Sequence, residues 1–434
     1  MIRMKTIKWT AASICLTACL WVSWDNWGRF VLTDAGVPAQ AVLEVDGDNA
    51  PLQARGQYLA TVGGCVSCHT VRGQALMSGG RAIPTPYGPA VSSNLSTSKK
   101  HGIGAWSLHD FEMALRWGRS ADGRLLLPVF PYNHTSLLTR EDVQAIYVWL
   151  QSLPPVEQAV SSHQLTWPLA TQPVIAVWRS LFFRPQTWQV ETGQSELFNR
   201  GAYLVQGLGH CAACHGARNA LGGFPAVTDL SGGVLMPQAW VAPSLVSPHQ
   251  TAMARSTTQE LADLLRAGQN AHATVSGPMG EFVQQNSQYL TPADAMAMAT
   301  YLKASLKPQH DSVSKHTASK VLTDTSNHAE QLYKLHCASC HGEQGQGKGL
   351  LYPALAANPA VQLDLPDNLI QMALYGGYSP STALRPRPYG MPPFVLTLTN
   401  QELADVITYV RQSWGNQAGA VSPMQVDKVR AAKY

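Results

Sequence analysis

The sequence predicts an all-α protein of three tandem copies of one small domain, preceded by an apolar N-terminal helix. Two observations predict the triplication. The pentapeptide Cys-x-x-Cys-His occurs as Cys65-Val66-Ser67-Cys68-His69, Cys211-Ala212-Ala213-Cys214-His215 and Cys337-Ala338-Ser339-Cys340-His341. Each copy is followed by a helical pattern opening on Thr with an acid three residues later: Thr139 with Asp142, Thr291 with Asp294, Thr399 with Glu402. That spacing resembles a capping box. The third observation is the uncharged run from Trp9 to Trp24 behind Arg3, Lys5 and Lys8, which predicts the N-terminal helix.

At the N-terminus, a helix starting near Ile7 just reaches the lower end of the ~17–25 residues a bilayer span needs. Trp21, Trp24 and Trp27 would form an interfacial belt. Residues 1–30 are therefore expected to anchor the chain in the membrane. A cleaved secretory signal is one alternative, and a lipoprotein cleavage box at Leu16-Thr17-Ala18-Cys19 is another. All three readings put the chain from residue 50 onward on the periplasmic side of the bacterial inner membrane.

The repeated pentapeptide has a chemical reason. Two thiols three positions apart can form thioethers with the two vinyl groups on one porphyrin edge, and the adjacent imidazole then lies beneath the iron. Cys-x-x-Cys-His accordingly reads as a c-type haem attachment site, with thioredoxin-like or zinc sites as alternatives. Three copies use six of the eight cysteines, which leaves no thiols for zinc pairs. Cys65, Cys68, Cys211, Cys214, Cys337 and Cys340 are expected to attach three haem c groups, with His69, His215 and His341 as proximal iron ligands.

Each pentapeptide has a lead-in helix, at Ala54–Leu59, Arg200–Leu204 and Ala329–Tyr333, and a closing helix that runs through Tyr147–Leu150, Tyr301-Leu302 or Tyr409-Val410. These frames give domains over 51–155, 195–308 and 327–416. A linker over 156–194 carries the apolar stretch Val174–Phe183, too short to span a bilayer, which reads as an interdomain packing helix or a membrane-surface contact. A second linker covers 309–326, and 417–434 reads as a loose or partner-bound polar tail.

The opposite face of each iron decides its job, because Met with His raises the reduction potential and an open position permits catalysis. Met391, in Tyr389-Gly390-Met391-Pro392-Pro393, and Met279, in Ser276-Gly277-Pro278-Met279-Gly280, stand before their closing helices. Met253 is a rival to Met279. In the first domain the equivalent loop has Phe130, which cannot ligate iron. His134 is the nearest competent donor there, with Met77, Met113 or an open site as alternatives.

Composition narrows the function. Charged residues are 13% of the chain, against ~25% in typical soluble proteins, which suggests a surface covered by partners or a membrane. A formal charge of +4 gives no signal for nucleic acid. Gly342–Gly349 nearly matches a phosphate loop, but Gly349 stands where Ser or Thr would hold Mg²⁺, so it reads as a loop at a haem edge. No hydrolase, dinucleotide or nucleophile-elbow signature is present.

Over nearly all of 51–416 the order of motifs resembles the triple-haem cytochrome c subunits of membrane-bound bacterial dehydrogenases acting on alcohol, gluconate or aldehyde. Gly104-Ala105-Trp106-Ser107 to Phe111 and Gly118–Gly123 are similar to that family's first domain. Phe130-Pro131-Tyr132, Trp178–Pro185 and Gly207–Cys211 resemble the branch that partners molybdopterin hydroxylases, including aldehyde and N-heterocycle dehydrogenases. The resemblance implies three tandem class-I-like cytochrome c domains in an electron-transfer subunit, not itself an enzyme. It also implies a catalytic molybdopterin subunit and an iron–sulfur subunit as partners, with ubiquinone as acceptor. An alcohol or gluconate dehydrogenase cytochrome, a haem enzyme with an open first haem and a released soluble carrier are the alternatives.

Overall fold

The computed structural model describes Thr17 and residues 20–28, 49–223, 226–307 and 323–431. These gather into two compact units. One holds the described residues up to Leu59 with Cys68–Trp188 and Ala220–Gly223; the other holds Ala60–Ser67, Gln189–Asn219 and the described part of Phe224–Tyr434.

The first unit contains most of Ala50–Val62 (α1) and the end of the motif turn Cys65–His69 (α2). A two-stranded antiparallel ribbon follows, Ala82–Ile83 (β1) with Ala90–Val91 (β2), Ala82 opposite Val91. Next come Leu108–Trp117 (α3), the single turn Tyr132–Thr135 (α4) and Arg140–Gln151 (α5). Helix α3 starts on a closed capping box between Ser107 and Asp110 and buries Phe111, Met113 and Leu115. Helices α1 and α5 cross at Gly56, where a Cβ would lie 1.9 Å from the Ala145 carbonyl oxygen. Only a residue without a side chain permits that approach. Beside the crossing, Arg55 Nε donates to the buried Asp142 carboxylate at 2.8 Å.

Gln172–Phe182 (α6) is the helix expected from the apolar linker. Its buried face carries Ile175, Ala176, Arg179 and Ser180, and Val22 packs against Leu125, Ile175 and Ala176. Asn26, 7% exposed, donates through Nδ2 to the Ala176 carbonyl (3.0 Å) and the Ser180 hydroxyl (2.8 Å).

This corrects the N-terminal anchor. Among the described residues no helix is long and apolar enough to cross a membrane; residues 1–16, 18 and 19 lie outside the description. The physical reason is visible at the end of the run. There the chain turns through a π-helix, Trp24–Gly28, and Asn26, a residue that a lipid core would leave unpaired, bonds into α6 instead.

In the second unit Glu196–Tyr203 (α7) continues as a π turn, Leu204–Leu208, into the motif turn Ala212–His215 (α8). A ribbon pairs Gly233–Leu235 (β3) with Trp240–Ala242 (β4). Thr258–Ala267 (α9), Gly277–Gln285 (α10) and Pro292–Ala304 (α11) complete this copy. The crossing of the first copy recurs: a Cβ on Gly201 would lie 1.9 Å from the Ala297 carbonyl, and Arg200 pairs with Asp294 at 2.8 Å.

The third copy runs through Thr323–His336 (α12), the motif turn Ala338–His341 (α13) and Asp367–Tyr375 (α14). Gly377–Tyr378 (β5) pairs with Gly390–Met391 (β6), and Asn400–Gln412 (α15) closes the copy. Here the lead-in and closing helices meet through aromatic rings, Tyr333 lying 5.6 Å from Tyr409 and 4.8 Å from Trp414. Asn368 of α14 bonds both backbone groups of Val241, at 2.7 and 2.8 Å, which ties the second and third copies together.

Three further expectations change. The fold is not strictly all-α, because each copy carries a short antiparallel ribbon. Part of the supposed loose tail is a helix, Pro423–Ala431 (α16), with Val426 and Val429 buried against the third copy's core. Most of the linker expected over 309–326 lies outside the described residues, and α12 already begins at Thr323.

Candidate functional site

Each Cys-x-x-Cys-His pentapeptide folds as a single helical turn, α2, α8 or α13. A helical turn sets residues three apart on one face, the spacing of the two thiols of each pair; Cys65 lies inside its turn, and Cys211 and Cys337 stand at the N-caps of theirs. Among the described residues none of the six cysteines is joined in a disulfide. Burial, and secondarily the neighbouring thiol, pushes Cys211 up to about 12 and Cys337 up to about 11.

The imidazole that ends each turn is held in the same manner in all three copies. His69 Nδ1 donates to the Ser93 carbonyl at 2.7 Å, His215 Nδ1 to Pro243 at 2.8 Å, and His341 Nδ1 to Pro353 at 2.9 Å. A carbonyl only accepts, so Nδ1 bears the proton and Nε2 presents its lone pair. Burial lowers the pKa of each ring, and the carbonyl bond acts the other way. A neutral imidazole oriented through its second nitrogen is how proteins prepare a metal-ligating His. The donor set fits haem: two thiols three positions apart and an imidazole aimed by its own turn. It does not fit zinc, since among the described residues no three His, Cys, Asp or Glu side chains cluster as a metal site would require. Sequence reasoning missed the three carbonyl acceptors. Backbone groups leave no side-chain signal, and they lie 24, 28 and 12 residues from their rings.

The expected ligands of the opposite face occupy varied settings. Met391 lies in β6 opposite Gly377, and Met279 in the first turn of α10, beginning at left-handed Gly277 (φ 54°); both are partly exposed. Met253 is buried in a short 3₁₀ turn. In the first copy His134 lies in α4 and is 1% exposed. Met113 is buried in α3. Met77 is fully buried at φ 59°, its N–H donating to the Thr70 hydroxyl and its carbonyl accepting from Leu95.

The loop bearing Phe130 is braced by a cluster that the sequence did not announce. Tyr132 packs edge-on to Phe183 at 4.8 Å, and the Arg179 guanidinium stacks over both rings. Arg179 Nη2 donates to the Trp117 carbonyl at 2.7 Å. Burial raises the Tyr132 phenol to about 12, so it stays protonated. The glycine-rich stretch 342–349 follows the motif turn α13, and Gly347 N donates to the His341 carbonyl; no strand leads into it, as a phosphate loop would need.

The family model described as cytochrome c matches residues 198–305 and 326–414. The cytochrome c subunit of a quinone alcohol dehydrogenase from Gluconacetobacter polyoxogenes is 34% identical over 89% of this chain and 85% of its own length. A gluconate 2-dehydrogenase cytochrome c subunit from Pantoea cypripedii is 34% identical over 89% of this chain and 90% of its own. One of the subunits of a nicotinate dehydrogenase from Pseudomonas putida is 37% identical over 84% of this chain, which spans 30% of that longer protein. The first two relatives are, by name, the cytochrome c subunits of dehydrogenases. At 34% identity over 85% and 90% of two such subunits, the chain belongs to the family of dehydrogenase-associated cytochrome c subunits.

Proposed function

We propose that Cys65 with Cys68, Cys211 with Cys214, and Cys337 with Cys340 each attach one haem c, with His69, His215 and His341 as proximal ligands. Met279, Met391 and His134 are the proposed ligands on the opposite faces. The observation that carries this reading is the Nδ1–H···O=C bond made by all three motif imidazoles. Bound haem supplies a one-electron carrier. The chain does the rest: its one-turn helices present the thiols, and its carbonyls fix the imidazole tautomer. A Met on the second and third irons and a second imidazole on the first would spread the potentials, Met raising them.

In this reading the chain lies on the periplasmic side of the inner membrane and carries electrons from a catalytic dehydrogenase subunit to ubiquinone. A molybdopterin catalytic subunit with an iron–sulfur subunit is the favoured partner. Phe130 and the likeness to part of a nicotinate dehydrogenase support it, since nicotinate is an N-heterocycle. An alcohol or gluconate dehydrogenase partner is the second reading, favoured by the names of two other relatives.

The test begins with denatured, solvent-extracted protein, which should retain one iron porphyrin per motif. Replacing both cysteines of any motif by Ala should remove one, and a smaller yield from the wild type ends the reading. Complexes purified from native membranes should contain molybdenum and reduce ubiquinone with an aldehyde or N-heterocycle. A quinoprotein or flavoprotein partner would move the reading to the alcohol or gluconate class.

A further inference from the structure

The residue just ahead of the second motif, His210, takes a left-handed backbone conformation (φ 39°), uncommon for a residue with a Cβ. Its ring Nε2 lies 3.3 Å from the Gly63 carbonyl oxygen, two residues before Cys65. Since a carbonyl only accepts, Nε2 carries the proton and donates. Residues 60–67 belong to the second unit with His210, and other groups converge on the same turn. Asn286 Nδ2 donates to the Thr61 carbonyl at 3.0 Å and to the Ser67 hydroxyl at 3.3 Å. Ser67 Oγ donates to the Gly64 carbonyl at 2.9 Å. Gly64 stands at φ 78°, and a Cβ there would lie 3.1 Å from Asn286 Nδ2 and 3.6 Å from His210 Nε2. Val62, Leu204, Leu208, Phe282 and Met298 line one apolar cleft in the same unit, which also touches Gly209, the residue before His210.

Resting on the reading that both motifs carry haem, we propose that His210 is a positioning residue that joins the attachment loops of the first and second haems. It lies one peptide unit from Cys211 and, through its hydrogen bond, two from Cys65. The step it serves is a one-electron exchange. With haem held at both motifs, the reduced group would be oxidised as the other is reduced; no bond forms or breaks, and His210 keeps its proton.

The test compares three full-length holoproteins: wild type, His210→Gln, which keeps an N–H donor, and His210→Phe, which keeps only the bulk. After flash reduction, electron equilibration between the first two haems should slow several-fold in His210→Phe and recover in His210→Gln, with both midpoint potentials unchanged. Amide hydrogen exchange over residues 61–67 should quicken several-fold in His210→Phe alone. Wild-type rates in His210→Phe, or equal slowing in His210→Gln, overturn the proposal. If His210→Phe does not fold, Asn286→Ala, which releases the same turn, is read in its place: slowed equilibration supports the role and an unchanged rate overturns it. Covalent haem per chain is measured first on each protein. A wild-type chain lacking haem at these motifs refutes the underlying reading, whereas a loaded chain with unaltered rates refutes only the role of His210.

Discussion

Gly201 lies where α7 meets α11, with the Ala297 carbonyl oxygen at 1.9 Å from where a Cβ would stand. Intrinsic helix propensity favours Ala there by up to ~1 kcal/mol. Overpacking against fixed backbone costs about 1–3 kcal/mol, and no rotamer change can relieve a clash with a carbonyl. Packing wins, so Gly201→Ala should destabilise the protein by up to about 2 kcal/mol in chemical denaturation. Gly419→Ala, with open space around it, should not. A second single-residue effect belongs to Asn26. It accepts from the buried Arg179 at 3.1 Å while donating to Ala176 and Ser180. Leaving such groups unpaired costs about 1–3 kcal/mol, so Asn26→Ala should lower stability by that amount and expose residues 20–28 to protease, with haem content unchanged.

Among the elements, the closing helices were legible because their signals are local. Thr139, Thr291 and Thr399 each accept the N–H of the acid three residues on. Asp142 and Asp294 additionally hold Arg55 and Arg200; the third copy has Glu330 in the arginine's place, which pairs with Lys334 instead. At α15, Thr399 N–H and hydroxyl both donate to Glu402 at 2.8 Å. Those bonds hold the Glu402 carboxyl below the ordinary value of ~4.3, as Thr257 does for Glu260 at α9. A depressed folded-state pKa gives stability that is complete above the ordinary value and is lost as pH falls through the folded one. Acidification below about pH 4.3 should therefore loosen α9 and α15, and Glu402→Gln should flatten the pH dependence of stability over that window. The ribbons were not legible, because strands of two or three residues are too short for an alternating pattern. Helix α16 hid for a related reason: its polar segment carries only Val426 and Val429 as a buried pair. The uncharged N-terminal run was read for its lack of charge, while Asn26, beyond its end, directs the chain onto α6.

At the scale of the molecule, the second and third copies share one compact unit. Asn368 acts in it as a one-residue strand against Val241, and Gln371 Nε2 adds a bond to the Gln238 carbonyl at 2.7 Å. Each such bond contributes about 1 kcal/mol net. Asn368→Ala should thus cost about 1–2 kcal/mol, quicken hydrogen exchange at the Val241 amide, and leave the haem count as it was. The three Cys-x-x-Cys-His motifs were the most legible part of the candidate site, since the covalent attachment proposed for them would demand particular side chains at fixed spacing. Their support was the least legible, since it comes from main-chain oxygens at three unequal distances along the chain. That choice of support has a consequence for genetic change. Every amino acid brings the same carbonyl, so substitutions at positions 93, 243 or 353 that spare the loop's path should leave the imidazoles aimed as before. An inserted or deleted residue in those loops should not, and the three copies are free to drift in spelling while guarding their loop lengths.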